Sequence, residues 1–285
     1  MTAILSARPA WWQWPTVLSL DAPAVAVVWQ ALFAAALGVS LRPHHAWLLG
    51  IATWLVYVAD RWFEGLAIDP TRVGTQRHRF YQRHRAGVAG LALAVAAAGT
   101  LLAGTRLTRV EWGAGAGVAL PVGLYLVAGL RRNRPARRLP KEAQVAVLFA
   151  LGAACFPLLH AGSSGLRLAG PLVAFALLCF ANLVLIARWE RAVDAAHGQG
   201  SLPLERPALD PLWRATPWLI AAGAALAVPG AAARTAPALG CVAASALLLG
   251  ALDLAEARIG RQRARALADF VLLTPLVPLC VAHLG

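Results

Sequence analysis

The chain has 285 residues, of which 59% are hydrophobic and only 14% carry a charge. A soluble domain would contain about a quarter charged residues, so the composition excludes an ordinary soluble protein. The net charge is +13 and comes mostly from arginine, but the arginines flank apolar segments. We therefore interpret them as determinants of membrane orientation and expect no nucleic-acid partner.

The first 22 residues differ from the rest of the chain. They contain Trp11, Trp12 and Trp14 but no apolar run followed by a small-residue cleavage site, so we expect no cleavable signal peptide. Clustered tryptophans are typical of a membrane–water interface, and they predict an amphipathic lead-in over residues 1–22. The whole chain, residues 1–285, is predicted to form a single polytopic membrane domain.

Apolar segments of about twenty residues then follow one another along the chain, as expected for transmembrane helices. Prolines inside several of them are compatible with this interpretation, because neighbouring helices can satisfy the freed carbonyls. Nine segments can be drawn, near residues 23–41, 44–63, 87–104, 112–130, 142–160, 168–189, 212–230, 235–254 and 267–284.

The distribution of basic residues predicts the orientation of these segments. If alternate connections lie on opposite sides of the membrane, 21 of the 26 lysines and arginines fall on one side and 5 on the other. Positive charge is enriched in cytoplasmic loops. We therefore expect a cytoplasmic N-terminus and an external C-terminus. The preference for arginine over lysine and the many alanines and leucines suggest the inner membrane of a bacterium.

Two acidic pairs close the second and sixth segments on the predicted cytoplasmic side. Asp60 and Glu64 are four residues apart, as are Glu190 and Asp194, so each pair would share one face of a helix. Four carboxylates that converge from two helices would bind a hard cation through oxygen, and Mg²⁺ is favoured where phosphates supply the remaining ligands. The alternative is that each pair is a solvated interfacial ion cluster.

The sequences around these pairs resemble the motifs of the UbiA superfamily of intramembrane prenyltransferases. "VYVADRWFE", residues 56–64, resembles the family's first aspartate-rich motif, and "ERAVD", residues 190–194, resembles its second. The basic segment "TRVGTQRHRF", the N-terminal "LSLDAPAVAVVWQ" and the Tyr-to-Gln segment "LYLVAGLRRNRPARRLPKEAQ" also match the family in order and spacing. The resemblance implies nine transmembrane helices arranged as a ring around a central cavity.

The family transfers an isoprenyl group from a Mg²⁺-bound isoprenyl diphosphate to a lipophilic or aromatic acceptor, which the sequence does not identify. By this resemblance the four carboxylates Asp60, Glu64, Glu190 and Asp194 are catalytic Mg²⁺ ligands. The other roles it implies are diphosphate binding by Arg72, Arg77, His78, Arg131 and Arg132, and lining of the cavity by Tyr57 and Asn182.

The chain departs from the family's first motif at Val56 and Tyr57, where the family has Asn-Asp. Glu64 and Glu190 also stand where the family has aspartate. Two alternatives to an active prenyltransferase therefore stay open, a UbiA-like lipid-binding protein that has lost or altered its chemistry and a multi-pass transporter. His44 and His45 lie on the predicted outer side, and the sequence gives them no role.

Overall fold

The computed structural model describes residues 9–67, 76–130, 140–198 and 200–284, and all regular secondary structure within these ranges is helical. Short 3₁₀ turns at Trp11–Gln13, Gly162–Leu168, Pro207–Leu209 and Val271–Leu273 connect or extend the α-helices. The α-helices are α1 (Trp14–Val17), α2 (Asp21–Leu37), α3 (Pro43–Ala67), α4 (Gln76–Arg83), α5 (Arg85–Arg106), α6 (Arg109–Leu130), α7 (Lys141–Ala161), α8 (Ala169–Trp189), α9 (Arg191–Ala196), α10 (Leu202–Glu205), α11 (Asp210–Ala227), α12 (Ala236–Ile259), α13 (Arg261–Phe270) and α14 (Leu276–Leu284).

Each of the nine predicted segments overlaps one or more of these helices. Within the described ranges, five stretches are long and apolar enough to cross a membrane, and a sixth is added if Trp11–Val17 and α2, which are bent by 74° to each other, form one broken span. One of the five, Lys141–Trp189, contains both α7 and α8. The chain is thus an all-helical integral membrane protein, while the number nine and the orientation remain predictions.

The last predicted segment differs from the observed helices. A helix begins at Arg261, before the predicted residue 267, and the segment divides into α13, a 3₁₀ turn and α14. Gly260 ends α12 with a φ of +87° and donates its N–H to the carbonyl of Glu256. Glycine adopts this conformation without steric cost, which allows α13 to follow at once. The arginines of α13 interrupt the apolar pattern, so the predicted segment begins later than the helix.

The buried core joins the beginning of the chain to its end. Trp29 of α2 stacks on Phe175 of α8 with ring centroids 4.1 Å apart, and its indole Nε1–H donates to the carbonyl of Leu272 at 2.8 Å. Helix α2 also packs against α3, α7, α12 and α13. A buried indole with its N–H satisfied contributes both apolar area and orientation. Helix α2 therefore lies in the core and joins helices from both halves of the chain.

Helix α3 carries polar residues at both of its ends. His45 and Glu64 are separated by 19 residues, which corresponds to about 29 Å along a helix at 1.5 Å per residue. We call the end that carries Glu64 the arginine-rich end, because Arg61, Arg77 and Arg265 lie there. The end that carries His45 is called the opposite end.

Candidate functional site at the arginine-rich end

The last turns of α3 present two acids to the interior of the arginine-rich end. Glu64 forms an ion pair with Arg61, with Nη1 and Oε2 3.7 Å apart, and its Oε2 lies 3.3 Å from Nε2 of His78. Asp60 interacts electrostatically with Glu64, Arg61 and Arg77. The i,i+4 spacing therefore places both acids on one face of α3, as predicted.

The second acidic pair lies at a break between two helices. Helix α8 ends at Trp189, and both Val193 and Asp194 donate their backbone N–H groups to the carbonyl of Glu190 as α9 begins. The Glu190 carboxylate pairs with Arg265 of α13 at 2.8 Å. Asp194 is 8% exposed, and burial raises the pKa of its carboxyl group.

The two pairs face each other across the site. Asp194 interacts electrostatically with both Glu190 and Glu64, although it is 130 residues from Glu64 in sequence. The carboxylates do not, however, converge on a single point. Among the described residues, no three of these four acids have ligand atoms within 4.8 Å of one another. Basic side chains lie between them.

Arg77 of α4 is buried near these acids, but they do not accept hydrogen bonds from all of its N–H groups. Its side chain is part of a residue only 7% exposed, and both its Nε and its Nη1 lack a hydrogen-bond partner. Burial, together with repulsion from Arg265 and Arg61, lowers the pKa of Arg77 to about 9. Unpaired buried cations are costly, so this arrangement favours the binding of an anion with several oxygens.

His78 follows Arg77 and acts as a neutral hydrogen-bond donor. Burial lowers its pKa to about 4, although the hydrogen bond to Glu64 opposes this change. A neutral imidazole next to a carboxylate donates its Nε2–H. The ring also contacts the ring of His197 edge to face, with centroids 5.2 Å apart. The contact connects α4 to the end of α9.

The remaining predicted site residues divide into two groups. Arg72, Arg131 and Arg132 lie outside the described residues. Tyr57 and Asn182 lie deeper in the bundle, next to two further acids.

Asp269 and Asp21 are these two acids. Asn182 donates its Nδ2–H to Oδ1 of Asp269 at 3.0 Å, while its own Oδ1 is buried without a partner. Asp269 and Asp21 interact electrostatically with each other and with Tyr57.

Sequence reasoning missed Arg61, Arg265 and Lys141 as site residues and counted them only as markers of topology. Arg61 lies between the two acids of the first motif, and this proximity was the available signal. No sequence spacing links Arg265 to Glu190, since they come from different helices and meet only through the packing of α13 against α8.

A second ionic cluster near this end has a structural role. Asp253 of α12 is buried and accepts hydrogen bonds from Arg188 at 2.9 Å, from the indole Nε1–H of Trp189 at 2.9 Å and from Arg214 at 3.1 Å. These donors belong to α8 and α11. Asp253 thus fixes three helices next to the break that positions Glu190.

No protein-family model matches the chain, and no curated protein matches it in sequence. Among solved structures, the chain is similar to the apo structure of a UbiA homolog from Aeropyrum pernix K1, with a TM-score of 0.52 and 17% sequence identity. The similarity covers 91% of this chain and 98% of that chain. At this level of identity it is the fold that is shared, and the predicted UbiA-like, all-helical fold is confirmed.

Proposed function

We propose that the chain is a UbiA-like prenyltransferase that moves an isoprenyl group from an isoprenyl diphosphate to a lipophilic or aromatic acceptor within the membrane. The observation that carries this proposal is the buried guanidinium of Arg77, which has two unpartnered nitrogens and lies between Glu64 and Glu190. A site for a polyanion is thereby combined with acids that can hold a cation. The UbiA-like fold supports the same reaction class.

The acids of the site fit the Mg²⁺ ion that this reaction class uses. Asp60, Glu64, Glu190 and Asp194 offer only oxygen ligands, which hard divalent cations prefer. Their separation suits a shell that phosphate oxygens and water complete, since Mg²⁺ is commonly bound through one or two carboxylates and substrate phosphates. Bound there, Mg²⁺ would neutralise charge on the departing diphosphate.

The basic residues would bind and orient the donor. Arg61, Arg77 and Arg265 can each donate N–H groups to diphosphate oxygens, and guanidinium groups match phosphate oxygens in a bidentate manner. Such donors stabilise the negative charge that grows on the diphosphate as the carbon–oxygen bond breaks. The pyrophosphate leaves with the bonding electron pair, and the isoprenyl group becomes an allylic carbocation.

The apolar bundle would protect this carbocation. Helices α2, α7 and α8 contribute largely apolar, buried side chains to the core of the bundle. These side chains would exclude water, which would otherwise react with the carbocation. Aromatic faces attract positive charge, and the phenol of Tyr57 lies near Asp21 and Asp269. The acceptor attacks the carbocation to form the new bond and then releases a proton. We place this site at the cytoplasmic face of a bacterial inner membrane.

The proposal is tested by measuring diphosphate release from labelled isoprenyl diphosphates in membranes that contain the protein, with Mg²⁺ or with EDTA. We expect Mg²⁺-dependent release that is lost in Glu190→Gln and in Asp60→Asn. Glu205→Gln serves as the matched control, because Glu205 is an exposed acid of α10. Absence of release, or equal release from all three variants, would contradict the proposal. Ion flux into proteoliposomes without release would indicate a transporter instead.

A further inference from the structure

A compact cluster of histidines around one glutamate lies at the opposite end of the bundle. Glu111 of α6 is 5% exposed, and its Oε1 lies 2.8 Å from Nε2 of His45 and 3.0 Å from Nε2 of His160. His45 belongs to the first turn of α3 and His160 to the last turn of α7. Three helices thus bring their ends to a single carboxylate oxygen.

The other carboxylate oxygen of Glu111 already has a structural role. Thr108 donates both its backbone N–H, at 2.7 Å, and its hydroxyl, at 2.8 Å, to Oε2, and the backbone N–H of Glu111 returns a bond to the hydroxyl. This is a capping box at the start of α6. The cap uses Oε2 and holds the carboxylate fixed, but it makes no use of Oε1.

His44 is the fourth member of the cluster. Its ring centroid lies 4.3 Å from that of His45, and its Nε2 is buried without a hydrogen-bond partner. Ligand atoms of His44, His45 and Glu111 all lie within 4.8 Å of one another, and within the described ranges this is the only group of three such residues that meets this condition. A buried imidazole nitrogen without a partner has a lone pair or a proton left unsatisfied.

We propose that His44, His45, Glu111 and His160 bind one divalent transition-metal ion, with Zn²⁺ as the ion that suits the ligands best. Imidazole nitrogens and one carboxylate oxygen are typical zinc ligands, at about 2.0–2.2 Å from the metal. In a tetrahedral site with such bonds, neighbouring ligand atoms are about 3.3 Å apart. The 2.8 and 3.0 Å contacts of Glu111 are about 0.3–0.5 Å shorter than this separation. His160 lies outside the group of three whose ligand atoms are all within 4.8 Å, so its side chain has to turn toward the ion to complete the shell.

Two features of the cluster disfavour metal binding: a hydrogen bond to His45 and the positive charges of two arginines. The backbone N–H of Arg42 points at Nδ1 of His45 with a distance of 3.2 Å, which assigns the ring proton to Nε2. Metal binding at Nε2 moves that proton to Nδ1 and breaks this long hydrogen bond. The guanidinium groups of Arg42 and Arg106 repel a cation, but both residues are exposed and their charges are screened by salt.

The ion could reach the site from the solvent at this end, because the side chain of His160 is 38% exposed. The location also separates the site from the acids of the arginine-rich end by the length of α3. The inference is therefore independent of the proposed prenyltransferase activity, and either can fail without the other.

The experiment is a titration of tag-free, chelator-treated protein in detergent with Co²⁺, whose visible absorption reports tetrahedral coordination, followed by displacement with Zn²⁺. Excess Mg²⁺ is present, and the titration is repeated in Glu190→Gln, so that the acids of the arginine-rich end do not contribute. We expect one equivalent of saturable Co²⁺ with tetrahedral bands, fully displaced by Zn²⁺.

Two variants separate a metal site from a purely structural network. His44→Ala removes a ligand but no hydrogen bond, and His160→Gln replaces a ligand with a side chain that can still donate to Glu111. Loss of an outer hydrogen-bond partner typically weakens metal sites by 10–100-fold, so we expect a loss of at least about 100-fold in each variant. His84→Ala, which alters a histidine outside the cluster, should bind like the unaltered protein.

The proposal is overturned if Zn²⁺ binds with a dissociation constant weaker than about 1 mM, or if binding survives in both His44→Ala and His160→Gln. In either case the four residues only connect α3, α6 and α7. The melting temperatures of the two variants without metal show whether each variant is folded. Because His160 is partly exposed, His160→Gln is expected to fold.

Discussion

Replacement of Arg77 by methionine should make the protein more stable and, at the same time, unable to bind diphosphate. Burial and the neighbouring guanidinium groups lower the pKa of Arg77 from 12.5 to about 9. At 1.36 kcal/mol per pKa unit, the folded protein disfavours this charge by about 5 kcal/mol. Rearrangement of the groups around Arg77 reduces this cost. We therefore expect Arg77→Met to raise the free energy of unfolding by about 1–4 kcal/mol, as for buried ion pairs replaced by apolar groups, because Glu64 and Glu190 keep Arg61 and Arg265 as partners.

The same substitution should weaken the binding of diphosphate. Two unpartnered nitrogens of Arg77 are available to diphosphate, and each hydrogen bond to a charged group contributes about 1.5–3 kcal/mol. Their loss corresponds to an affinity about 10²–10⁴-fold lower. A ligand present at 100 times its dissociation constant stabilises a protein by about 2.7 kcal/mol. After a 100-fold loss of affinity, the same concentration would stabilise it by only about 0.4 kcal/mol.

The assay is thermal unfolding in detergent, with and without Mg²⁺ and an isoprenyl diphosphate. Arg83→Met is the matched control, because Arg83 is an exposed arginine of the same helix. It should change neither the free energy of unfolding nor the stabilisation by diphosphate appreciably. The reasoning is refuted if Arg77→Met is less stable than the unaltered protein by more than about 1 kcal/mol and still gains the full stabilisation from diphosphate. That result would mean that Arg77 is a structural ion-pair partner of Glu64 and Glu190.

Three further outcomes are expected. Mg²⁺ and inorganic pyrophosphate should each raise the melting temperature little when added alone but markedly when added together, and additive shifts would contradict this. Asp253→Asn should cost about 3–5 kcal/mol in the free energy of unfolding, because it removes the buried charge that pairs with Arg188 and Arg214 and leaves a single acceptor oxygen for three donors. Asp210→Asn, at a more exposed carboxylate, should cost less than about 1 kcal/mol. Equal costs would contradict a structural role for Asp253. Gly250→Ala should cost about 1–3 kcal/mol, because the new Cβ would lie 2.6 Å from the indole of Trp218, and Trp218→Leu in the same chain should restore stability. No cost in the single variant would refute this close approach of α11 and α12.

The sequence was sufficient to predict the helical fold because apolar length is a local property. The ends of α7 and α8, for example, follow the limits of the apolar runs at 142–160 and 168–189 within a residue or so. The prediction was poorest at α13, where Arg261 and Arg263 interrupt the apolar pattern although the chain is helical. Charge marks the end of an apolar run, whereas the backbone of a helix can continue through it.

For the site, the acids were easier to predict than the bases. Acidic residues are rare in this chain, so two pairs with i,i+4 spacing are conspicuous. Arginines are abundant for reasons of membrane orientation, and only the packing of α13 distinguishes Arg265 from the others. The cluster around Glu111 was missed for a similar reason, because His45, Glu111 and His160 come from three helices and share no spacing.

The charges of the arginine-rich end make the proposed binding of Mg²⁺ and diphosphate interdependent. The four predicted carboxylates are accompanied by four basic side chains, Arg61, Arg77, Lys141 and Arg265, so that these eight groups together are close to neutral. A divalent cation alone would leave this buried region strongly positive, and a diphosphate alone would leave it strongly negative. Both states are costly at low dielectric, whereas the two ligands together nearly cancel. In the structure, guanidinium groups pair with Glu64 and Glu190. A diphosphate that takes over these guanidinium groups would release the carboxylates to hold the metal, which accounts for acids that face each other without yet converging.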